Sequence, residues 1–209
     1  MARLTGSPWS VPAGDVERAV GRVAAAGLTH VHWDATDGVF AAHGGFDADG
    51  AAAIARAVGV GSEAHLMMLD PVPAIPGWAR FCELIVVPVE IDGWRDAVRA
   101  IESSGATPAL AVSPRTALGR VPHGDFPVLV MSVEPGDAGA DFRPGTIERI
   151  ERLAGRGCHT MVGVDGGVLP AHLPALAEAG ATWVVSGTSL FGAPDPGAWL
   201  RHASQVMTV

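Results

Sequence analysis

Lysine is absent from this sequence, so all 14 of its basic residues are arginines. Schiff-base aldolases, pyridoxal-phosphate enzymes and Walker-type phosphate loops each depend on a lysine, and these chemistries are therefore excluded. A basic surface is not indicated either, because the formal net charge is -8 and the arginines form no cluster in the sequence. Nucleic acid, whose phosphates require such a surface, is accordingly not an expected partner.

Cysteine is scarce, and long apolar runs are absent. Cys82 and Cys158 lie far apart and not in metal-ligand spacing, which favours buried free thiols of a reducing cytoplasm. No apolar run reaches the roughly 18 residues of a membrane span, and no basic-then-apolar leader is present. We therefore expect a cytoplasmic protein that does not enter a membrane.

The length of the chain limits the number of domains. Its 209 residues are 48% hydrophobic and 17% charged, which is enough for one sizeable core but short for two ordinary domains. The sequence therefore predicts a single domain over residues 1–209.

Short β-branched runs alternate with amphipathic stretches along the whole chain. Their hydrophobic periodicity predicts about eight strands separated by helices, with short connections. The predicted strands are 2–7, 31–36, 63–68, 84–89, 108–112, 127–133, 160–164 and 182–186. The predicted helices are 14–26, 51–58, 94–101, 146–153 and 173–179, the segment 116–120 is ambiguous, and the segment 196–206 closes the chain. Flavodoxin-like and Rossmann sheets normally have five or six strands, so the count favours a (β/α)8 TIM barrel.

The strand that begins at Val31 carries acid and base side chains on one face. Successive side chains of a strand point to opposite faces, so His32 and Asp34 share a face while Val31 and Trp33 share the other. The dipeptide Asp37-Gly38 then predicts a tight turn, because glycine tolerates the backbone angles that such a turn requires.

His65 and Asp165 fall at the ends of two further predicted strands. In a (β/α)8 barrel the chemistry lies at the carboxyl ends of the strands, so these two residues would meet His32 and Asp34 at one mouth. Two imidazoles and two carboxylates suit Zn, Mn, Fe or Co rather than Ca or Mg. A lone histidine or aspartate there is more often structural, but the convergence of four favours a divalent metal centre.

Glycine-rich segments follow the last three predicted strands, at 135–139, 165–167 and 186–188. Barrels commonly bind phosphate through backbone N–H groups at these places. A single glycine pair is usually only a turn, whereas three such segments in register favour a binding site. The predicted phosphate cradle consists of the N–H groups of Gly139, Gly166, Gly167, Gly187 and Thr188.

Several of these segments, at matching spacing, resemble the ribulose-phosphate 3-epimerase family. Segment 32–38 (His-Trp-Asp-Ala-Thr-Asp-Gly) is similar to the family's His-x-Asp-x-Met-Asp-Gly, and segment 65–68 (His-Leu-Met-Met) is similar to its His-Leu-Met. Segment 130–136 (Val-Met-Ser-Val-Glu-Pro-Gly) is similar to its Val-Met-Thr-Val-x-Pro-Gly. Segments 164–168 and 186–188 are similar to its Val-Asp-Gly-Gly and Ser-Gly-Ser motifs. The resemblance covers nearly the whole chain.

This resemblance implies a metal-dependent ketose-phosphate 3-epimerase that converts D-ribulose 5-phosphate to D-xylulose 5-phosphate. It implies that one divalent ion (Zn, Fe, Mn or Co) is bound by His32, Asp34, His65 and Asp165. Asp34 and Asp165 would also be the catalytic acid–base pair. The expected substrate-binding residues are Ser7, His65, Met67, Met131, Gly136, Asp137, Ala138, Gly139, Asp165, Gly166, Gly167, Gly187 and Thr188. We further expect a small sugar phosphate as the ligand and a homo-oligomeric assembly.

The chain also departs from the family's pattern at several positions. Thr36 replaces one of three methionines around the family's metal, and Pro88 stands where the fourth strand usually has a histidine. Segment 40–43 (Phe-Ala-Ala-His) departs from Phe-Val-Pro-Asn, and segment 136–141 (Gly-Asp-Ala-Gly-Ala-Asp) replaces Gly-Phe-Gly-Gly-Gln-Lys. The metal and acid–base residues are therefore kept, while positions that contact substrate have changed.

The two aspartates suit proton transfer at carbon. Moving a proton at a carbon next to a ketone needs two acid–base groups flanking a flat enediolate, and one aspartate on each side would supply them. Two alternatives stay open at this point. The changed loops favour an epimerase-like paralogue that acts on a different or unphosphorylated ketose. A non-catalytic sugar-binding or metal-binding barrel is opposed by the intact aspartate pair.

Overall fold

Eight parallel strands close into a barrel in the computed structural model, which describes residues 2–207. Each strand pairs with the next along the chain, and β8 pairs back onto β1. The strands are β1 (Arg3–Gly6), β2 (His30–Thr36), β3 (Gly61–Met67), β4 (Leu84–Pro88), β5 (Thr107–Val112), β6 (Val128–Met131), β7 (Val162–Asp165) and β8 (Trp183–Ser186). The prediction of a (β/α)8 TIM barrel is confirmed.

Helices connect the strands around the outside of this barrel. They are α1 (Val16–Ala25), α2 (Ala48–Val58), α3 (Ile75–Ala79), α4 (Trp94–Ser103), α5 (Gly145–Ala154), α6 (Leu173–Glu178), α7 (Thr188–Phe191) and α8 (Pro196–Val206). Short 3-10 turns lie at Ala13–Asp15, Leu118–Arg120 and Pro170–His172. The turn at Leu118–Arg120 explains why that part of the sequence was ambiguous: within the described residues, no α-helix joins β5 to β6.

Two short helices, α3 and α7, were not predicted. The five residues of α3 include Pro76 and Gly77, the two poorest helix formers, and the four residues of α7 are too few to show a period. Helix α2 begins before its predicted start because the Asp47 side chain accepts a hydrogen bond from the Gly50 N–H and caps it. Local propensity therefore located the long helices and missed the short ones.

Successive side chains of β2 point alternately to the outer layer beneath the helices and to the interior of the barrel. Val31 and Trp33 are fully buried in the outer layer, between the strands and the helices. His32 and Asp34 point into the barrel interior, where the His32 ring lies near the ring of Trp183, with centroids 6.2 Å apart. The predicted assignment of faces on this strand is confirmed. The apolar side chains of the barrel interior, besides Trp183, are Leu84, Val86, Ala109, Ala111, Leu129, Met131, Val133 and Val185.

The register between neighbouring strands places the acid and base residues side by side. Asp34 pairs with His65 across β2 and β3, and Met131 pairs with Asp165 across β6 and β7. Because all strands are parallel, their carboxyl ends lie at the same end of the barrel. The register therefore brings residues from distant parts of the chain to one mouth.

Both cysteines are free, but only Cys82 is buried, whereas Cys158 is half-buried. The prediction of two buried thiols is therefore wrong for Cys158, which lies in the loop between α5 and β7, where solvent reaches it.

No helix within residues 2–207 has the length and apolar character that crossing a bilayer requires.

Candidate metal centre and active site

Four side chains converge at the carboxyl end of the barrel. Strand β2 supplies His32 and Asp34, β3 supplies His65, and the last residue of β7 is Asp165. Each offers one nitrogen or oxygen atom, and these four atoms all lie within 4.8 Å of one another. The four residues that the sequence singled out as metal ligands are therefore brought together.

The nitrogen–oxygen distances in this cluster suit an ion better than hydrogen bonds. Asp34 Oδ1 lies 3.5 Å from His32 Nε2 and 3.4 Å from His65 Nδ1, while Asp165 Oδ2 lies 3.9 and 3.8 Å from the same nitrogens. Hydrogen bonds from nitrogen to oxygen are shorter, at roughly 2.7–3.2 Å. Two ligand atoms that each lie about 2.1 Å from one ion in tetrahedral geometry are about 3.4 Å from each other, which is close to the distances from Asp34.

Both ring nitrogens that face this cluster are buried and have no hydrogen-bond partner within residues 2–207. Leaving a buried polar nitrogen unpaired costs about 1–3 kcal/mol each, so the arrangement of His32 and His65 is unfavourable by itself. A divalent cation would satisfy both lone pairs and both carboxylates. The residues present therefore fit a metal ion, which the cluster could hold.

The two carboxyl groups of the cluster have pKa values displaced in opposite directions. Burial raises the pKa of Asp34, but the adjacent His32 and His65 imidazoles more than offset this effect and lower it well below its usual range. Burial, followed by the charge of Asp34, raises the pKa of Asp165 to about 6. Burial lowers the pKa of His32, yet the Asp34 and Glu63 carboxylates leave it well above its ordinary value. Acid–base pairs in enzymes commonly have pKa values separated in this way.

Two further residues hold the ligands of β2 in place. The Ser7 hydroxyl donates to Asp34 Oδ2 at 2.6 Å, and the Glu63 carboxylate contacts His32 Nδ1 at 2.6 Å. Ser7 was predicted as a substrate contact, whereas Glu63 was not predicted at all. A signal for Glu63 existed, because it lies two residues before His65 on β3 and so shares its inward face.

A cavity of about 350 Å³ opens beside the cluster. Its wall contains nearly all of the predicted substrate-binding residues: Ser7, Met67, Met131, Gly136, Asp137, Ala138, Gly139, Asp165, Gly166, Gly167, Gly187 and Thr188. Asp34 also lines this cavity, whereas His65 is not part of its wall, so the predicted contact of His65 with substrate stays a prediction. Wall residues that were not predicted include Trp9, Phe142 and His172.

The glycines after β7 permit a close approach of the loop that follows β6. Gly167 has φ +62°, and a Cβ atom there would lie 2.4 Å from the Phe142 nitrogen and 2.7 Å from the Ala140 oxygen. Any other residue would therefore push this loop away from the cavity.

The predicted phosphate cradle consists of the N–H groups of Gly139, Gly166, Gly167, Gly187 and Thr188. Within residues 2–207, none of these five N–H groups donates a hydrogen bond to the protein itself.

The loop after β6 gives the cavity an acidic rim. Asp137 and Asp141 are exposed, line the cavity and form no ion pair within residues 2–207. Glu134 differs, because it contacts Arg143 at 2.9 Å and Arg115 at 3.0 Å. Among the described cavity-lining residues, only His172 could carry a positive charge.

His172 is tied to the same loop. Its ring stacks on Phe142, with centroids 4.2 Å apart, and its Nδ1 accepts a hydrogen bond from the Leu169 N–H at 3.1 Å. Its other ring nitrogen, Nε2, is then the donor in the neutral ring. This contact joins the loops after β6 and β7 at the cavity wall.

Thr36, which stands in the place of a methionine, has a structural contact of its own. Its hydroxyl donates to the Gly44 oxygen at 3.1 Å and accepts from the Gly44 nitrogen at 2.9 Å. Asp37 accepts hydrogen bonds from the N–H groups of Val39, Phe40 and Leu69. Both residues therefore order the loop between β2 and α2.

The fold and the clustered ligands define a (β/α)8 barrel with a candidate metal centre at the carboxyl ends of its strands. Residues 7–191 match the model of the "Ribulose-phosphate 3 epimerase family", and the chain belongs to that family.

Curated relatives agree with this family. The chain is 30% identical to "Ribulose-phosphate 3-epimerase" of Mycobacterium bovis, covering 95% of this chain and 92% of that protein. It is 31% identical to "Ribulose-phosphate 3-epimerase 1" of Cupriavidus necator, covering 83% and 77%, respectively. A solved structure of 3-hexulose-6-phosphate synthase from Salmonella typhimurium superimposes with a TM-score of 0.75 at 14% identity, covering 98% of each chain. That likeness shows the fold alone.

Proposed function

We propose that this protein is a metal-dependent ketose-phosphate 3-epimerase that interconverts D-ribulose 5-phosphate and D-xylulose 5-phosphate. The observation that carries the proposal is the pair of carboxyl groups, Asp34 and Asp165, which line one cavity with pKa values displaced in opposite directions. Epimerisation at carbon 3 needs one group to remove the proton and a second to return a proton to the opposite face. The chain supplies both groups at the same mouth of the barrel.

The proposed mechanism begins with Asp34, the carboxyl group that favours ionisation. In one direction Asp34 takes the proton from carbon 3, and the electron pair of that bond moves towards the carbonyl oxygen to form an enediolate. Asp165, whose pKa of about 6 keeps a fraction of it protonated near neutral pH, then donates a proton to the opposite face of carbon 3. In the other direction the two residues exchange roles. The Ser7 hydroxyl keeps Asp34 oriented through its 2.6 Å hydrogen bond.

His32, Asp34, His65 and Asp165 would hold the divalent ion of this proposed enzyme. When bound, the ion supplies Lewis-acid stabilisation of the negative charge that develops on the substrate oxygens. Met67 and Met131 line the cavity beside these ligands and exclude water from part of the wall. The donor set suits Zn, Fe, Mn or Co.

The phosphate of the substrate would lie against the glycine loops after β6, β7 and β8. Gly139, Gly166, Gly167, Gly187 and Thr188 line the cavity there. Their N–H groups have no acceptor among the described residues and could donate to an anion. Backbone donors do not depend on side chains, so the changed loop sequence does not remove them. This supports a phosphorylated ketose.

A second candidate function is an epimerase for an unphosphorylated or different ketose. The observation that favours it is the acidic rim, because Asp137 and Asp141 would face a phosphate dianion and neither is paired with an arginine within residues 2–207. A purely non-catalytic sugar-binding barrel is the third possibility, and the aspartate pair opposes it.

The proposal further includes a cytoplasmic location and a homo-oligomer built from one domain per chain. Size-exclusion chromatography with light scattering would test the oligomeric state.

The test is exchange of the carbon 3 proton with solvent. D-Ribulose 5-phosphate and D-ribulose are each incubated with the metal-loaded protein in D2O, and deuterium at carbon 3 is followed by NMR. Deuterium incorporation and formation of the 3-epimer with the phosphorylated ketose alone would support the first candidate. Exchange only with D-ribulose would favour the second, and no exchange with either at full metal occupancy would contradict epimerase activity on both.

A further inference from the structure

Glu63 places a fully buried carboxylate in the interior of the barrel, below the candidate metal centre. Its side chain has 0% exposure and does not line the substrate cavity. Oε1 contacts His32 Nδ1 at 2.6 Å and accepts a hydrogen bond from Trp183 Nε1 at 3.1 Å. Oε2 accepts from Arg3 Nε at 2.6 Å. Three donors from three strands therefore surround this one carboxylate.

These contacts determine which nitrogen of His32 carries hydrogen. A carboxylate only accepts, so the 2.6 Å contact requires that His32 donates from Nδ1. In the neutral ring, the form that binds a metal ion, the other nitrogen, Nε2, then carries the lone pair, and it is the atom that points at Asp34 and Asp165. Glu63 thus presents the imidazole of His32 in the tautomer and orientation that a metal ligand needs.

The carboxylate is itself held from the opposite end of the barrel. Arg3 lies at the start of β1, and its second contact is with Glu83, whose side chain is 54% exposed. Glu83 contacts Arg3 at 2.7 Å but forms no ion pair or hydrogen bond with His32, whereas Glu63 contacts both Arg3 and His32. The two acids on Arg3 therefore form a natural pair for comparison, one connected to the metal centre and one not.

We infer that Glu63, clamped by Arg3 and Trp183, is a positioning residue that orients His32 and thereby sets the metal affinity of the site. The inference rests on the proposed metal centre, and it concerns metal binding rather than the identity of the sugar. Replacing a hydrogen-bonded partner of this kind commonly lowers metal affinity by about 10-fold to 100-fold. Glu63 touches neither substrate nor ion in this arrangement and acts only through His32.

The experiment compares Glu63→Gln with its matched control Glu83→Gln. Chelator-stripped protein is titrated with Zn2+ and, separately, with Co2+ against a competing indicator, and the Kd is obtained without any substrate. Glu63→Gln should weaken binding about 10-fold to 100-fold and alter the visible spectrum of the Co2+ complex, whereas Glu83→Gln should stay within about twofold of wild type. At saturating metal, Glu63→Gln should recover most of kcat with little change in KM.

Circular dichroism melting of the stripped proteins separates positioning from folding. If Glu63→Gln does not fold, Trp183→Phe provides a second variant, because it removes one donor to the carboxylate and keeps the Glu63–His32 contact. It should weaken metal binding by a few-fold.

Glu63→Gln with wild-type Kd, or an equal loss in Glu83→Gln, would overturn the inference. Wild-type protein that binds metal with the expected Glu63 effect but shows no epimerisation would overturn only the proposed function. Wild-type protein that binds no divalent metal would overturn both.

Discussion

Replacing Asp165 with asparagine should stabilise the chelator-treated protein at the same time as it abolishes epimerisation. Asp165 is partly buried and lies within 3.9 Å of the metal-ligand nitrogens, and the charge of Asp34 adds to the cost of ionising it. The amide has nearly the same shape and carries no charge. The substitution therefore removes an electrostatic penalty that exists only because the site is built for a cation.

The size of this effect follows from the pKa of Asp165. A rise from 3.8 to about 6 corresponds to about 3 kcal/mol, at roughly 1.36 kcal/mol per pKa unit. The side chain retains 14% exposure, so solvent screening reduces the expected gain to about 2–3 kcal/mol. Because the folded-state pKa is raised, the ionised carboxyl destabilises the fold. The penalty is fully present above about pH 6 and disappears as the pH falls towards 3.8.

The assay is thermal unfolding of the two proteins in excess chelator at pH 8 and at pH 5. For a chain of this size, about 1 kcal/mol moves the Tm by roughly 2–4 °C, so Asp165→Asn should melt roughly 5–10 °C higher at pH 8. The gain should be roughly half as large at pH 5. Asp141→Asn, at an exposed carboxylate of the same cavity, should change little. An Asp165→Asn protein that melts at or below the wild-type temperature at pH 8 would refute the reasoning.

The remaining predictions concern activity. Asp34→Asn should lower epimerisation by at least the roughly 10²–10⁴-fold credited to one positioned acid or base, and near-wild-type turnover would remove that role. Metal content must be measured on the same samples. His32→Ala and His65→Ala should lower bound metal and activity together, while full activity after exhaustive chelation would rule out a metal-dependent mechanism. Asp137→Phe or Asp141→Lys should lower KM for D-ribulose 5-phosphate and leave kcat largely unchanged. The reason is that a loop carboxylate and the substrate phosphate, as two like charges roughly 8 Å apart, repel by about 2 kcal/mol at an effective dielectric near 20. An unchanged KM in both variants would count against the phosphate proposal.

Much of the fold could be predicted from local patterns alone. Alternation along β2 assigned His32 and Asp34 to one face, and the count of β-branched runs separated by amphipathic helices favoured a closed barrel. The glycines at 166 and 167 marked a loop at the site, although the reason that glycine is required became clear only in three dimensions. There, a Cβ atom at Gly167 would meet the Phe142 nitrogen at 2.4 Å.

Contacts between distant segments were decided by the tertiary structure. The pairing of Asp34 with His65 depends on the register of β2 against β3, and a slip of one residue would turn one of them out of the barrel. The contact of Glu63 with His32 depends on the same register. The stacking of His172 on Phe142 joins two loops whose spacing in sequence carries no signal.

The sequence by itself thus determined the class of fold and the residue types at the mouth of the barrel, because periodicity and turn chemistry are local properties of the chain. Only the tertiary structure decided that His32 is held through Nδ1 by Glu63, and that Asp34 lies close enough to Asp165 for its charge to raise the pKa of Asp165. Hydrogen bonds and charge interactions depend on distances of a few ångströms between atoms. Such distances are set only when the register of the strands and the packing of their loops are complete.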